Sequence, residues 1–308
     1  MEAVPKILLA RGARGELVRR AQVKLVAAGA APKGVDGDFG ARTARAVAAF
    51  RRRNGLGRAD HIDVPTWEKL VGRPIPSVRD RALQVTAAFE GHGFTLVQGN
   101  YDGAWLTWGV IGFTLKHGEL PLIVLEAHRR NPQLLTKAFG AKAGELLAVM
   151  RAGKERRLAW ANSISLGASK ARVAEPWKTG FRTFGELAAV QKIQLERVDV
   201  RFAAARETAR SLGLKTELGL ALCFDIVVQN GSVKDSARAR IERELEAHPI
   251  HKERELRVIV ANAVAEASKP AYVEDVRSRK LTLATGAGRV HGATYVLRNW
   301  GLDASRAR

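Results

Sequence analysis

The sequence predicts a mainly helical protein in two parts, a three-helix bundle followed by a larger α+β domain with a small β-hairpin sheet beside a cleft. Three observations carry that expectation. Apolar residues recur at helical spacing within the first 72 residues, a proline pair follows at Pro74 and Pro76, and beyond it an amphipathic helix runs into a glycine-rich hairpin ending near Phe113. At 308 residues the chain is long enough to bury two cores.

Taken in order, Leu17, Val18, Ala21, Leu25 and Ala28 repeat at helical spacing and stop at Gly29. Thr43, Val47 and Phe50 repeat the pattern before Gly55, and a short third helix from Pro65 to Val71 carries Trp67 and Leu70. Between the first two helices, Val35-Asp36-Gly37-Asp38-Phe39-Gly40 is turn chemistry, because Asp side chains bond nearby backbone amides and glycine accepts positive φ. The prolines of 72–76 favour extended backbone and interrupt helix, so the expected boundaries are 1–72, a joint at 73–77, and 78–308. Ser77-Val78-Arg79-Asp80 reads as a capping box. It opens a helix whose buried stripe is Val78, Ala82, Val85 and Phe89.

Gly91 and Gly93 stop that helix and leave Glu90 at its C-terminal rim, a half-sheltered setting for a carboxyl that must hold a proton. Next, 94–98 and 105–111 read as strands joined by Gly99-Asn100-Tyr101-Asp102-Gly103, which is hairpin turn chemistry. Asp102 is then expected to face Glu90 across a cleft, with Thr107 returning toward it. Glycoside hydrolysis needs a protonated acid on the leaving oxygen and a carboxylate on the other face, and a Thr hydroxyl can hold the water. Trp105 and Trp108 could stack on sugar rings, but alternate strand residues face opposite sides, so at most one lines the cleft. Trp160, Trp177 and Trp300 read as core.

Composition narrows the partners. A formal charge of +20 and a pI near 10.8 favour an anionic polymer. Residues 1–72 hold fourteen Lys/Arg against seven Asp/Glu, so the excess is spread along the chain rather than confined to a tail. Cys223 is the single cysteine and lies in an apolar run, which excludes an intrachain disulfide and suits a buried, inert thiol. Met1 to Leu9 is followed at once by Arg11 and Arg14, so no secretory h-region of useful length is expected, and nothing approaches a membrane span. No cofactor or metal is expected: His248 and His251 lack a third ligand, and Gly286-Ala287-Gly288 lacks the context of a dinucleotide fingerprint. Glu and Arg alternate over 238–257, which describes a solvated helix face better than a nucleic-acid site.

Two resemblances sharpen these readings. Gly12-Ala13-Arg14-Gly15, Leu17, Gln22, Leu25, Asp36 to Gly40, Thr43, Val47, Phe50, Gly55-Leu56 and Thr66-Trp67 resemble the peptidoglycan-binding domain of many cell-wall hydrolases. That resemblance implies binding through the face near Asp36, Gly37 and Phe39. It departs at 59–65, where the family has an Asp-Gly-x-x-Gly turn. The order Glu90, Asp102-Gly103, Thr107, Gly109-Val110-Ile111-Gly112-Phe113 resembles the lysozyme superfamily, and most closely the family 46 chitosanases. A second block, Gln194 to Val200, 203–205, 212–214 and Phe224 to Gly231, resembles the same family.

The second resemblance implies a lysozyme-like fold, with Glu90, Asp102 and Thr107 as catalytic residues and Asp225 in an arginine network. A charge in an otherwise apolar helix calls for a cationic partner in any case; Arg277 and Arg289 are the candidates. Where the family has a basic residue and glycine after Asp-Gly, this chain has Ala104 and Trp105, so Trp105, with Tyr101, is expected to contact substrate through an aromatic surface.

Chitosan is a polycation that a +20 protein repels. The expectation is therefore a peptidoglycan hydrolase, most simply an inverting muramidase resembling modular phage endolysins. It would be a monomer made in the cytoplasm and acting on the wall, with peptidoglycan strands and anionic lipopolysaccharide as partners and no nucleic acid. A chitosanase, and a non-catalytic wall- or nucleic-acid-binding protein, stand as alternatives.

Overall fold

A computed structural model of the chain describes residues 5–30, 34–72, 74–91 and 93–307; Met1 to Val4 and Arg73 of the expected joint lie outside the described residues. The chain divides into two compact units, residues 1–89 with 201–308, and residues 90–200. The expected boundaries at 72 and 77 fall inside the first of them. The architecture is mainly α, with short antiparallel sheets.

In the first unit, β1 (Ile7–Leu9) leads into α1 (Glu16–Ala27) and α2 (Ala41–Arg53), and β2 (Ile62–Asp63) pairs antiparallel with β1 before α3 (Val64–Leu70). The predicted stripes are buried at Leu17, Val18, Ala21, Leu25, Thr43, Val47, Phe50, Trp67 and Leu70, whereas Ala28, expected to end the first of them, is exposed just beyond α1. Asp63 caps α3 by accepting the Thr66 amide at 2.9 Å and also pairs with Arg51 at 2.8 Å.

The turn between α1 and α2 is built on Gln22. Its buried amide donates to Asp36 Oδ1 at 2.7 Å and to the Asp38 carbonyl at 3.0 Å, and accepts the Gly37 amide at 2.7 Å. This corrects the expected binding face. Gly37 is buried and Phe39 is 2% exposed, its amide donating to Ala13 at 2.9 Å, so both hold the bundle together. Asp36 is exposed, but its carboxylate accepts from the Asp38 amide and from Gln22, which hold its pKa below the ordinary value.

Next comes α4 (Val78–Glu90), opened by the predicted box: Asp80 Oδ2 accepts the Ser77 amide at 3.0 Å, and Ser77 Oγ accepts the Asp80 amide at 3.2 Å. Beyond the apolar stripe, α4 also buries Arg81, Gln84 and Thr86. Gln84 accepts the Leu17 amide at 2.8 Å, an N–H of the first turn of α1 that has no partner within its own helix.

The second unit holds a three-stranded antiparallel sheet of β3 (Val97–Gln98), β4 (Thr107–Trp108) and β5 (Phe113–Thr114). Val97 pairs with Trp108 and Gln98 with Thr107, while β5 is a strand the hairpin reading did not include. Helices α5 (Glu119–Arg130), α6 (Gln133–Phe139), α7 (Ala143–Arg151) and α8 (Lys154–Ile164) follow. The short pair β6 (Ser165–Leu166) and β7 (Arg172–Val173) precedes α9 (Trp177–Glu186) and α10 (Ala188–Ser211). An aromatic core joins them. Trp108 stacks on Phe184 at 5.4 Å and donates from its indole to the Phe181 carbonyl at 3.0 Å, and Trp160 sits edge-on to Trp177 at 5.0 Å.

The chain returns to the first unit with α11 (Glu217–Asn230), α12 (Asp235–Ala247), α13 (Glu253–Glu266), α14 (Val273–Thr285) and the hairpin of β8 (Ala287–Val290) and β9 (Ala293–Val296). Glu217 anchors the N-terminal bundle here, taking Arg81 through both carboxylate oxygens at 2.9 and 3.0 Å and Lys6 at 2.5 Å. Asp225 lies in α11 with no exposure. Its cationic partners are Arg279, at 2.7 and 2.8 Å, and Lys280, at 2.6 Å, with Thr86 donating at 3.0 Å.

Arg277 and Arg289 are therefore not its partners. Arg277 lies at 3.3 Å from Glu274 and 3.6 Å from Glu266, and Arg289 donates to the Gly292 carbonyl at 3.1 Å. The reason is helical phase. Val276, Arg279, Lys280, Leu283 and Ala284 form the buried stripe of α14, and Arg277 points off it.

Burial alone would raise the Asp225 pKa, but the charges and hydrogen bonds of Arg279 and Lys280 hold it down at about 2. Its stabilisation is complete above the ordinary aspartate range and is lost as pH falls through about 2. Asp225→Asn should destabilise by about 3–5 kcal/mol in urea melts at pH 7, since it leaves two buried cations without their anion. Burial pushes the Cys223 thiol up to about 12, so a disulfide reagent should label it only after unfolding.

Candidate active site

Glu90 is the last residue of α4 and is half-buried, so its side chain leaves from the helix end whose carbonyls lack intrahelical donors. Asp102 and Tyr101 lie in the connection 99–106 between β3 and β4, both exposed, Tyr101 at 50%. The connection is held by Asn100. Its side chain accepts the Trp105 amide at 3.0 Å and donates to Asn162 Oδ1 at 2.9 Å, and its own amide donates to Ser165 Oγ at 2.9 Å. Asp102 Oδ1 accepts the Ala104 amide at 2.9 Å, an Asx turn that orients the carboxylate.

Trp105 is not a strand residue. It sits before β4 with φ at 72°, a left-handed conformation that is a genuine outlier for a bulky side chain and costs on the order of 1–3 kcal/mol. Trp108, by contrast, is fully buried in the aromatic core. Of the two tryptophans, then, only the half-buried Trp105 belongs to the loop that carries Asp102. Trp160, Trp177 and Trp300 are buried as expected.

Thr107 opens β4 opposite Gln98 and is 7% exposed. Its hydroxyl oxygen is buried without a hydrogen-bond partner among the described residues. Leaving such a group unsatisfied costs about 1–3 kcal/mol, so the position is suited to holding a water molecule.

One residue that motif reading did not put in a role is Gln194. Fully buried on α10, it accepts the Val110 amide at 2.9 Å and donates to the Phe94 carbonyl at 3.1 Å, strapping the two flanks of the β3–β4 hairpin. A Cβ on Gly109 would stand 2.5 Å from Gln194 Oε1, so glycine is required there. The sequence does hold a signal for Gln194: it lies four residues from both Val190 and Val198, on the buried stripe of its helix. Asn100, Asn162 and Ser165 carry no such signal, because their role is created where the loop 99–106 meets the end of α8 and the start of β6.

Glu90, Tyr101, Asp102, Trp105 and Thr107 all belong to the unit 90–200. Asp36, Gly37, Phe39, Asp225, Arg277 and Arg289 belong to the other unit.

Comparison with known proteins adds to this geometry. Residues 14–62 match the family model "Putative peptidoglycan binding domain". Over 97 residues the chain is 35% identical to a "Probable N-acetylmuramoyl-L-alanine amidase" of Bacillus licheniformis, a stretch covering 31% of this chain and 25% of that protein. The chain thus spans about a quarter of that relative's length. A family 46 chitosanase of Gynuella sunshinyii, solved in complex with chitotetraose, has a TM-score of 0.47 and 18% identity, covering 73% of this chain and 99% of that one.

The loop geometry makes a stability prediction. Gly99 donates its amide to the Ala171 carbonyl at 2.9 Å, and a Cβ there would overlap the Lys170 carbonyl oxygen. Gly99→Ala should lower stability by about 1–3 kcal/mol in urea melts, while Gly144→Ala, at a helical position with ordinary φ and open space around it, should not.

Proposed function

We propose that this protein is a peptidoglycan hydrolase, and that it cleaves the β-1,4 glycosidic bonds of the glycan strand as an inverting muramidase. The match of residues 14–62 to a peptidoglycan-binding model carries the choice of substrate. In support of glycosidase chemistry stand a carboxyl at a helix end, a second carboxylate oriented in a hairpin loop, and a buried threonine hydroxyl, without a partner among the described residues, at the start of the next strand.

In this reading Glu90 donates its proton to the leaving glycosidic oxygen while Asp102 takes a proton from the attacking water. Thr107 holds that water, and the bond forms on the face of the sugar opposite the departing group. Inversion needs the two carboxyls roughly 6.5–9.5 Å apart, leaving room for the water. Trp105, with Tyr101 in the same loop, offers an aromatic surface for a sugar ring, which accounts for keeping a strained backbone at a bulky residue.

The charge of +20 favours an anionic substrate and repels polycationic chitosan; it also suits contact with anionic lipopolysaccharide. Wall strands as the partner place the site of action outside the cytoplasm. No described helix is long and apolar enough to cross a membrane.

Purified sacculi should be solubilised by the wild type and not by Glu90→Gln, with Asp102→Asn slowed at least about 100-fold. Mass spectrometry of borohydride-reduced products should show reduced muramic acid ends, and NMR during early turnover should show the inverted anomer. Retention of configuration, or an active Glu90→Gln, sinks the mechanism. Turnover of soluble chitosan in place of sacculi would move the assignment to a chitosanase.

A further inference from the structure

The C-terminal hairpin of β8 and β9 closes over the last turn of α4. Tyr295, on β9, donates from its hydroxyl to the Ala88 carbonyl at 3.3 Å, and its ring meets the Phe89 ring edge-on at 4.8 Å. His291, in the hairpin turn, places Nδ1 3.0 Å from the Phe89 carbonyl and Nε2 2.6 Å from Asp275 Oδ1. The Arg279 guanidinium lies over the other part of this cluster, 5.3 Å from the Phe89 ring centre. Ala88 and Phe89 are among the terminal residues of a helix whose last carbonyls have no intrahelical donors, and these contacts supply them.

Two features single out His291. Its φ is 48°, a left-handed conformation that asparagine or glycine would adopt more readily, so a histidine is retained there against backbone preference. Its two ring nitrogens also both face oxygen acceptors. A carbonyl can only accept, so Nδ1 is the donor to Phe89, while Nε2 faces the Asp275 carboxylate. Asp275 belongs to the first turn of α14, where negative charge is favourable, and the His291 ring stands at the C-terminal end of α4, where a hydrogen-bond donor meets the free carbonyls.

We propose that His291 is a positioning residue for the proton donor: by bridging the Phe89 carbonyl to Asp275 it fixes the final turn of α4 and thereby the direction in which the next residue, Glu90, leaves the helix. This rests on the role given to Glu90 above. His291 and Asp275 are partly exposed, so the bridge orients the helix end and contributes little to global stability.

His291→Asn suits the left-handed backbone and cannot bridge both acceptors, and His291→Gly relieves the backbone altogether. Each should lower kcat on sacculi about fivefold to tenfold with KM within about twofold and Tm within a few degrees, and Asp275→Asn should do the same. His291→Arg, which can donate to both acceptors, should recover most of the lost kcat. An unchanged kcat in both His291→Asn and His291→Gly overturns the proposal.

A second readout does not depend on turnover. Nitrogen-15 NMR of labelled histidine should find His291 Nδ1 carrying hydrogen in the wild type, the form that donates to the Phe89 carbonyl, with the Nε2 shift changed by Asp275→Asn. A ring whose Nδ1 carries no hydrogen, or an Nε2 shift indifferent to Asp275→Asn, overturns the proposal. Absence of sacculus hydrolysis by a wild type that shows both signatures would sink the functional reading and leave the bridge standing.

Discussion

A carboxylate with no access to water, held between two cations that are themselves buried, is the constraint on which the first unit turns. Asp225 on α11 faces Arg279 and Lys280 on α14, and Thr86 on α4 completes its hydrogen bonding. Taking such charges out of water costs several kcal/mol each, and the cost is offset only when geometry is good and the remaining lone pairs are met. The cluster satisfies that condition by fixing three helices at once. Sliding or rotating any of them by one residue would expose a buried charge to apolar surroundings. Phe89 lies under the Arg279 guanidinium, so the same constraint reaches the last turn of α4.

The N-terminal bundle is tied into this framework and does not hang from it as a loosely tethered module. Glu217 takes both Arg81 and Lys6, Gln84 completes the first turn of α1, and Arg14 lies over the Tyr295 ring at 5.4 Å. Tyr295 also touches the end of α4. Within this one unit, the segment that matches a peptidoglycan-binding model and the helix that ends in Glu90 share a continuous set of contacts.

In the other unit, polar straps do the holding, and they keep strained backbone in place. Asn100, Ser165 and Asn162 hold the connection between β3 and β4, Gln194 holds its flanks, and Gly99 and Gly109 let backbone approach where a side chain would collide. Left-handed Trp105 sits in the middle of this arrangement, beside an oriented Asp102 and a buried Thr107 whose hydroxyl has no partner among the described residues. Local rules are broken where chemistry is expected, and the surrounding contacts hold the strained groups in place.

Local periodicity and turn chemistry were enough to read the helices of the first 72 residues, the capping box at Ser77, the stripe of α4, the end at Glu90 and the hairpin carrying Asp102, because each depends on neighbours a few residues away. The need for a cationic partner at Asp225 was equally legible, since a charge in an apolar helix is costly wherever it lies. The identity of that partner was not. Arg277 and Arg279 differ by two residues, about 200° around a helix, and only the packing of α14 on α11 decides which of them faces inward. The burial of Phe39, the strap from Gln194 and the bridge at His291 were set in the same way, by contacts between segments up to about two hundred residues apart in sequence, whose spatial relation no local pattern encodes.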